Sequence, residues 1–264
     1  MMASADQAQK PEYSMESIIG KQPMAKLLEV AGTVADETQM RLDEDGYSVR
    51  LFDPANVASV FVDLEKPAFE SYHADGGLIA YDIGRLDDVV GFGDSGDLVH
   101  LGLNSETRML DVEINNFDYE CALIDPESVR GEPDMPDSLD DGLHSEIVIE
   151  AGDLQDAVKA AELASDHITL HSDPDSGEFT ISAKGDTDTS NVTFGPEEMI
   201  DGQIDQEFES LFSLDYMKDI SKPMPKDSEV TISHGSEMPA KFEWEFSEGH
   251  GEVMAMLAPR IKTD

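Results

Sequence analysis

Three features of the sequence have residue types and spacings that could do chemistry: a histidine pair, an aspartate-rich loop and one cysteine. His167 and His171 stand four residues apart, a spacing that binds zinc when both lie on one face of a helix and a glutamate between them acts as base. This segment alternates apolar and polar residues like a strand, and it lacks that glutamate. We predict a solvent-facing pair on a strand.

The segment Asp173-Pro-Asp-Ser-Gly177 begins like a calcium-binding loop. The EF-hand pattern requires glycine at its sixth position and glutamate at its twelfth, where this chain has Glu178 and Lys184. We interpret the segment as a hairpin turn. Cys121 lies among apolar neighbours in a strand-like segment, which favours a core position over a nucleophile.

Nucleotide-binding glycine motifs are also missing, since the sequence contains neither GxxxxGK[ST] nor GxGxxG. We therefore predict no catalytic residue, no metal site and no cofactor, and hence a protein that is not an enzyme. A halophilic metal-dependent hydrolase, with a carboxylate site that spacing does not reveal, is the alternative.

The charge of the chain is strongly negative. Its 264 residues hold 58 Asp and Glu against 17 Lys and Arg, a formal net charge of −41. At about 1 M salt the Debye length is about 3 Å, which screens such carboxylates from one another. We interpret the acidity as adaptation to a salt-rich cytoplasm. The 11 Phe, the 6 Tyr and the patterned apolar segments argue against disorder.

Cellular location follows from three absences in the sequence. A single cysteine allows no disulfide within the chain, which favours a reducing compartment. No apolar run approaches the length of a membrane span, and residues 1–13 resemble a flexible tail instead of a signal peptide. We predict a cytoplasmic protein without membrane contact.

The sequence predicts four amphipathic helices, which would position side chains at the surface. They form two similar pairs, one in each half of the chain. The apolar faces of the two longer helices are Met24, Leu27, Leu28, Ala31 and Val34, and, 130 positions later, Leu154, Ala157, Val158, Ala161 and Ala164. The two shorter helices are indicated by Ile83, Leu86 and Val90, and by Leu214, Met217 and Ile220. Asp82 and Ser213 are the predicted N-caps.

Alternating segments typical of half-buried strands surround each helix pair. They cover residues 39–43, 47–52, 59–64, 77–81, 98–103, 109–114 and 119–124, then 146–150, 167–171, 179–183, 206–211, 229–234, 240–246 and 252–257. Short hairpin-connected strands favour antiparallel sheets with helices on one face, an α+β class in two repeated domains. We predict domains at 14–125 and 144–262, joined by a Pro-, Gly- and acid-rich loop at 126–143.

Three segments together resemble one family. They are Val49-Arg-Leu-Phe-Asp-Pro-Ala-Asn-Val57, Tyr119-Glu-Cys-Ala-Leu-Ile-Asp125 and Leu257-Ala-Pro-Arg-Ile261. In this order, with the internal repeat, they are similar to sliding clamps of the proliferating cell nuclear antigen type over residues 14–262. The acidity makes the chain resemble a clamp of a haloarchaeon or of a virus of such a host. The location that this resemblance implies is the cytoplasm of an archaeal cell, in association with the nucleoid, or the host cytoplasm if the protein is viral.

The resemblance implies a head-to-tail homotrimer, a ring with helices lining the hole. The contact would join an edge strand near residues 117–124 to an edge strand near residues 179–185 of the next copy. A closed ring also satisfies strand edges that would otherwise invite aggregation.

Double-stranded DNA would pass through that hole without sequence readout. The basic residues on the helices that would face it are Lys21, Lys26, Arg85, Lys159, Lys218 and Lys222. Ordinary surface lysines are the other interpretation, since Asp87, Asp88, Asp215 and Asp219 lie beside them.

Partner proteins of the family insert a short peptide into a groove between the connecting loop and the second-domain sheet. Carried across by motif, the groove residues are Phe52, Val57, Val129, Met135, Pro239, Met256, Leu257, Ala258 and Pro259. Val57 and Leu257 could equally be core residues, and Val129 and Met135 are alternatives for one role.

The function implied is that of a DNA polymerase processivity factor. Its partners would be a clamp loader of the replication factor C type, a family-B or family-D DNA polymerase, a flap endonuclease and DNA ligase. A paralogous clamp that forms hetero-rings, or a scaffold without DNA, remains the alternative.

Overall fold

The computed structural model describes residues 13–104, 106–132, 143 and 145–260. The first half of the chain contains helices α1 (Lys21–Ala31) and α2 (Ile83–Val90). Its strands are β1 (Met15–Gly20), β2 (Glu37–Asp43), β3 (Gly46–Phe52), β4 (Ala58–Glu65), β5 (Phe69–Ala74), β6 (Gly77–Asp82), β7 (Leu98–Asn104), β8 (Met109–Ile114) and β9 (Phe117–Ala122).

The second half repeats this order of elements. Its helices are α3 (Ala151–Glu162) and α4 (Leu214–Ser221). Its strands are β10 (Ser145–Glu150), β11 (His167–Asp173), β12 (Glu178–Lys184), β13 (Thr189–Phe194), β14 (Asp201–Ile204), β15 (Phe208–Ser213), β16 (Glu229–His234), β17 (Ala240–Phe246) and β18 (Gly251–Leu257). The α+β class and the internal repeat are confirmed.

The strands form three antiparallel sheets. A five-stranded sheet has the order β5-β1-β7-β8-β9, and a four-stranded sheet has the order β13-β12-β11-β15. A nine-stranded sheet, β14-β10-β16-β17-β18-β4-β3-β2-β6, runs through both halves. Strand β18 pairs with β4 from Gly251 opposite Leu64 to Leu257 opposite Ala58, so this one ladder joins the two halves.

The helices pack in pairs on the sheets through the apolar faces that the sequence predicts. Met24, Leu27 and Leu28 of α1 are fully buried, as is Leu154 of α3. Helix α1 packs on β4, α3 packs on β12 and β13, and each longer helix lies against the shorter helix of its own half. The opposite faces of the helices are left to solvent.

Helix ends agree in part with the predicted signals. The Asp82 side chain accepts a hydrogen bond from the Arg85 N–H at 2.7 Å, a true N-cap. Ser213 precedes α4 without a capping bond from its side chain. Helix α1 ends at Ala31, short of the predicted Val34, because the N–H groups of Thr33 and Val34 bond carbonyls three residues back instead of four.

Every predicted strand overlaps an observed one, but four strands were not predicted: β1, β5, β13 and β14. The last three are edges of their sheets, and β13 and β14 bury almost no side chains. These two strands therefore lack the clear alternation of buried and exposed residues that marks a half-buried strand.

The predicted contact edge at residues 179–185 is wrong. Strand β12, which covers most of it, pairs with β11 on one side and with β13 on the other. The edge strands of that sheet are β13, at Thr189–Phe194, and β15, whereas the edge predicted near residues 117–124 is indeed β9. The polar residues of β13 hid it from the alternation pattern.

Candidate DNA-facing and partner-binding surfaces

The histidine pair, the aspartate-rich loop and the cysteine lie at structural positions and form no reactive site. His167 and His171 lie on the same face of β11, and the aspartate-rich loop is the β11–β12 turn, in which the Gly177 N–H bonds the Asp173 carbonyl at 2.8 Å. Cys121 is buried, and its burial raises the pKa of the thiol, which disfavours the nucleophilic thiolate. In the described part of the chain, no three His, Cys, Asp or Glu side chains cluster as metal ligands.

Two of the six predicted basic residues are exposed and uncommitted. Lys159 on α3 and Lys222 at the end of α4 form no ion pair with any described residue. They lie on the solvent side of the helix pair whose other side buries Leu154 and Met217. Lys21 is half-buried at the first position of α1, where its N–H bonds the Asp97 carbonyl.

The other three basic side chains have partners within the chain. Lys26 donates to Glu29 at 2.6 Å and to the Pro223 carbonyl at 2.8 Å, so it ties α1 to the segment after α4. Lys218 pairs with Glu162. Arg85 donates through Nε to the Tyr119 hydroxyl at 2.8 Å and covers that ring. The structure thus separates the six into free and engaged groups.

Acidic residues weaken the positive character of the same helix faces. Partial desolvation and the neighbouring Asp88 carboxylate raise the pKa of Asp87. Desolvation and Asp215 likewise raise the pKa of Asp219, against the opposing effect of Lys222 and Lys218. A like-charged neighbour disfavours ionisation of a carboxyl group. The solvent-facing sides of these helices therefore carry both acidic and basic side chains, and they do not form a continuous basic surface.

The connecting loop begins as a strap held on the first half. The Gln39 side-chain amide donates to the carbonyls of Pro126 at 2.7 Å and Val129 at 3.2 Å. Arg130 donates to the Asp53 carbonyl at 3.1 Å, and its guanidinium covers the Phe52 ring at 5.6 Å. The strap therefore follows the edge of the predicted groove.

The groove residues differ in how far they can be reached. Most are partly exposed: Phe52, Val57, Pro239, Ala258 and Pro259. Val129 and Met256 retain only 9% and 7% of their surface. Leu257 is fully buried in the core, so its assignment as a groove wall is wrong, because its side chain points into the sheet's inner face. Met135 lies outside the described residues.

Asp53 organises the loop between β3 and β4, and sequence reasoning did not single it out. Its carboxylate accepts hydrogen bonds from the N–H groups of Ala55, Val57 and Ala58 and from the Tyr216 hydroxyl at 2.8 Å. Burial acts to raise its pKa, but these four donors prevail and lower it. The Asp-Pro-Ala-Asn turn chemistry was the available signal.

Similarity to known proteins covers nearly the whole chain. Residues 140–260 match the family described as proliferating cell nuclear antigen, C-terminal domain. A protein of Natronomonas pharaonis named DNA polymerase sliding clamp is 49% identical over 249 residues, 94% of this chain and 99% of that protein. The chain belongs to the DNA polymerase sliding clamp family. A second relative of that name, from Haloarcula marismortui, is 44% identical over 248 residues, 94% of this chain and 99% of its own length.

Solved clamp structures superpose on the same range. In the complex of A. fulgidus PCNA with the C-terminal region of FEN-1, the matched chain has a TM-score of 0.88 at 32% identity, with 95% of this chain and 100% of that chain covered. PCNA from Thermococcus kodakaraensis gives a TM-score of 0.83 at 25% identity over 93% of this chain and 100% of that chain. Both of these relatives are haloarchaeal, as the acidity of this clamp predicts. Within its described residues, the clamp has no helix long and apolar enough to cross a membrane.

Proposed function

We propose that three copies of the chain close head to tail into a ring around double-stranded DNA and tether replication proteins to it. The ring acts as a DNA polymerase processivity factor and performs no reaction itself. Each copy contributes two domains, at residues 14–125 and 144–262, joined by the loop at 126–143. The observation that carries the proposal is that β9 is an edge strand of a first-half sheet and β13 is an edge strand of a second-half sheet, so each half of every copy offers an edge for pairing.

Edges of this kind favour association between copies. Unpaired ladder groups along a strand bind another strand, and a head-to-tail contact closes when the rotation completes a ring. The chain already contains one such contact, the β18–β4 ladder between its halves. Two repeated halves in each of three copies give six similar units around one hole.

DNA contact relies on topology more than on charge. Lys159 and Lys222 are the exposed cations best placed to meet phosphates, and they are few. Phosphate contacts lose affinity steeply with salt because counterion release drives them. In a salt-rich cytoplasm, a closed ring holds DNA without strong contacts, and a net charge of −41 is compatible with that role.

Tethering uses the groove beside the connecting loop. A. fulgidus PCNA, which shares this fold, binds the C-terminal region of FEN-1. We assign the same kind of peptide to the partly exposed residues Phe52, Val57, Pro239, Ala258 and Pro259. The further partners proposed are a replication factor C type clamp loader, a family-B or family-D polymerase and DNA ligase, all in the cytoplasm at the nucleoid.

Light scattering and a loading assay test the ring. In molar KCl we expect a particle of three times 28.9 kDa, which dissociates as the salt is lowered. With a clamp loader, the protein should stay on nicked circular DNA and slide off after the circle is cut. A monomer at every KCl concentration, or equal loss from circular and linear DNA, would refute the proposal.

A further inference from the structure

The ladder between the two halves is a template for the contact between copies. In the first half, Ser17 pairs with Leu101, Leu101 with Val112, and Val112 with Tyr119. In the second half, the equivalent path runs from Ile147 through Ile232 and Phe242 to Ala255. Tyr119 on β9 is therefore the counterpart of Ala255 on β18, and Phe117 is the counterpart of Val253.

The other side of the template follows in the same way. Leu42 pairs with Tyr47 and Tyr47 with Leu64, whereas Ser172 pairs with Phe179 and Phe179 with Phe194. Phe194 on β13 is then the counterpart of Leu64 on β4, Val192 of Val62 and Ser190 of Val60. Because Val253 pairs with Val62 and Ala255 with Val60, two copies should pair Phe117 with Val192 and Tyr119 with Ser190.

Burial supports this correspondence. Val60, Val62, Val253 and Ala255, at the ladder inside the chain, are at most 3% exposed. Their counterparts Phe117, Tyr119, Ser190 and Val192 are only partly buried.

An exposed aromatic stack lies beside the β9 edge. Phe92 is 70% exposed and stacks on Phe117 with ring centroids 4.5 Å apart. Exposed aromatic side chains on so acidic a chain mark a surface that another protein covers. A second copy fits that surface, because its β13 supplies the missing strand.

One polar contact joins the two halves beside the template ladder, and the corresponding positions at the contact between copies carry opposite charges. Tyr216, the third residue of α4, donates to Asp53, which directly follows β3. Arg85 is the third residue of α2, and the turn that follows β12 carries the exposed carboxylates of Asp186 and Asp188. The stack on Tyr119 holds the Arg85 guanidinium beside the β9 edge.

We propose that Arg85 is a subunit-contact residue, which pairs with Asp186 and Asp188 of a second copy when β9 and β13 join in the register derived above. This inference rests on the proposed ring and names its polar contact. It removes Arg85 from the DNA-facing set. The charge pair gives the contact direction and register, since opposite charges favour the matched alignment and like charges penalise a shifted one.

Charge reversal tests the pair at the lowest KCl concentration that keeps the unaltered chain trimeric. Arg85→Glu places like charges together and should raise the trimer dissociation constant about tenfold or more. The double change Asp186→Lys with Asp188→Lys should do the same, and all three changes together should restore assembly. Arg41→Glu, which removes an exposed arginine paired with Glu132 on the connecting loop, is the matched control and should leave the trimer unchanged.

Different failures are distinguishable. If Arg85→Glu leaves the dissociation constant of the trimer unchanged, the proposed ion pair is refuted but the ring is not. If the variant loses only its retention on DNA, Arg85 is a DNA-facing residue and the ion pair is refuted. An unaltered chain that is monomeric at every salt concentration refutes the ring and the pair together.

Cysteine crosslinking tests the register independently of charge. With Cys121→Ala as background, Tyr119→Cys with Ser190→Cys should form a disulfide between copies under mild oxidation. Tyr119→Cys with Val192→Cys places the sulfurs two residues out of register and should crosslink far less. Equal crosslinking of both combinations, or of the shifted one alone, would overturn the register.

Discussion

His234 is a fully buried histidine among aromatic side chains. Its Nε2 lies 2.7 Å from the Ser172 hydroxyl, and the rings of Phe179 and Phe208 pack against it. Its Nδ1 has no hydrogen-bond partner among the described residues. Burial, with a smaller effect of His171, lowers the pKa of His234 to about 4. The folded second half therefore needs a neutral imidazole.

Acid should destabilise the protein through this residue. Between pH 6.5 and pH 4, His234 is protonated in the unfolded chain but neutral in the folded chain. The free energy of unfolding therefore falls as the pH is lowered through this range. A pKa of about 4, against 6.5 unfolded, corresponds to a loss of about 3 kcal/mol. Urea unfolding in molar KCl between pH 7 and pH 5 should show the slope, and His234→Gln should flatten it. His100→Gln, at an exposed histidine, is the control, and an identical slope in both variants would contradict the assignment.

Removal of the Asp53 carboxylate should loosen the β3–β4 loop and the contact between the halves. Asp53→Ala leaves three N–H groups and the Tyr216 hydroxyl without their acceptor, at a cost of about 2 to 3 kcal/mol in the free energy of unfolding. Asp175→Ala, in an exposed turn, should change it by less than about 0.5 kcal/mol. Equal effects of the two changes would show that the carboxylate does not organise the loop.

A charge in the proposed peptide groove should abolish partner binding and spare the ring. Pro259→Glu buries a carboxylate under the apolar anchors of a bound peptide, so affinity should fall at least about tenfold. Fluorescence anisotropy with a synthetic peptide of the FEN-1 C-terminal region measures it, and light scattering checks the trimer. Pro67→Glu, on an exposed turn away from the groove, is the matched control. Loss of the trimer in Pro259→Glu would show that the groove was misplaced.

At the scale of elements, the connecting loop is fixed at its start by side chains of the first half. Gln39 on β2 supplies both hydrogen bonds to the loop carbonyls, and Arg41 pairs with Glu132 further along. These side-chain contacts hold the start of the loop on β2, beside the proposed groove.

Loss of the Gln39 amide should release the strap. In Gln39→Ala, trypsin should cleave after Arg130 several-fold faster, because local opening exposes that backbone. Mass spectrometry of the early fragments measures the rate at that bond. Gln203→Ala, on the edge strand β14, should leave the rate unchanged. An unchanged rate in Gln39→Ala would mean that Arg130 alone holds the strap.

The helices and strands differ in how well they could be predicted from the sequence. Helices α1 and α3 and the central strands were predictable, since burial on one side imposes a period on the apolar residues. Strand β13, with its sequence Thr-Ser-Asn-Val-Thr-Phe, gave no such period, because one of its ladder sides and most of its side chains face solvent. The predicted contact edge consequently fell one strand too far inside the sheet.

For the whole molecule, salt is the expected condition of stability. The chain has a net charge of −41, so its surface carboxylates repel one another. This repulsion strengthens as the Debye length grows from about 3 Å at 1 M salt to about 10 Å at 0.1 M. The Tm should therefore fall steadily as KCl is lowered, and the trimer should dissociate before the chain unfolds. Tetramethylammonium chloride at equal ionic strength is the control for screening. A Tm that follows the identity of the cation and ignores ionic strength would point to specific ion binding.

The sequence alone determined the fold class, the repeat, the resemblance to sliding clamps and the adaptation to salt, because these depend on composition, period and motif order. The tertiary structure decided which side chains are available. It placed Leu257 in the core and engaged Lys26 and Lys218 within the chain, while Lys159 and Lys222 stayed free. It also identified β13 as an edge strand and brought Tyr216 to Asp53 across the two halves. Such facts depend on contacts between residues far apart in the chain, which local pattern does not encode.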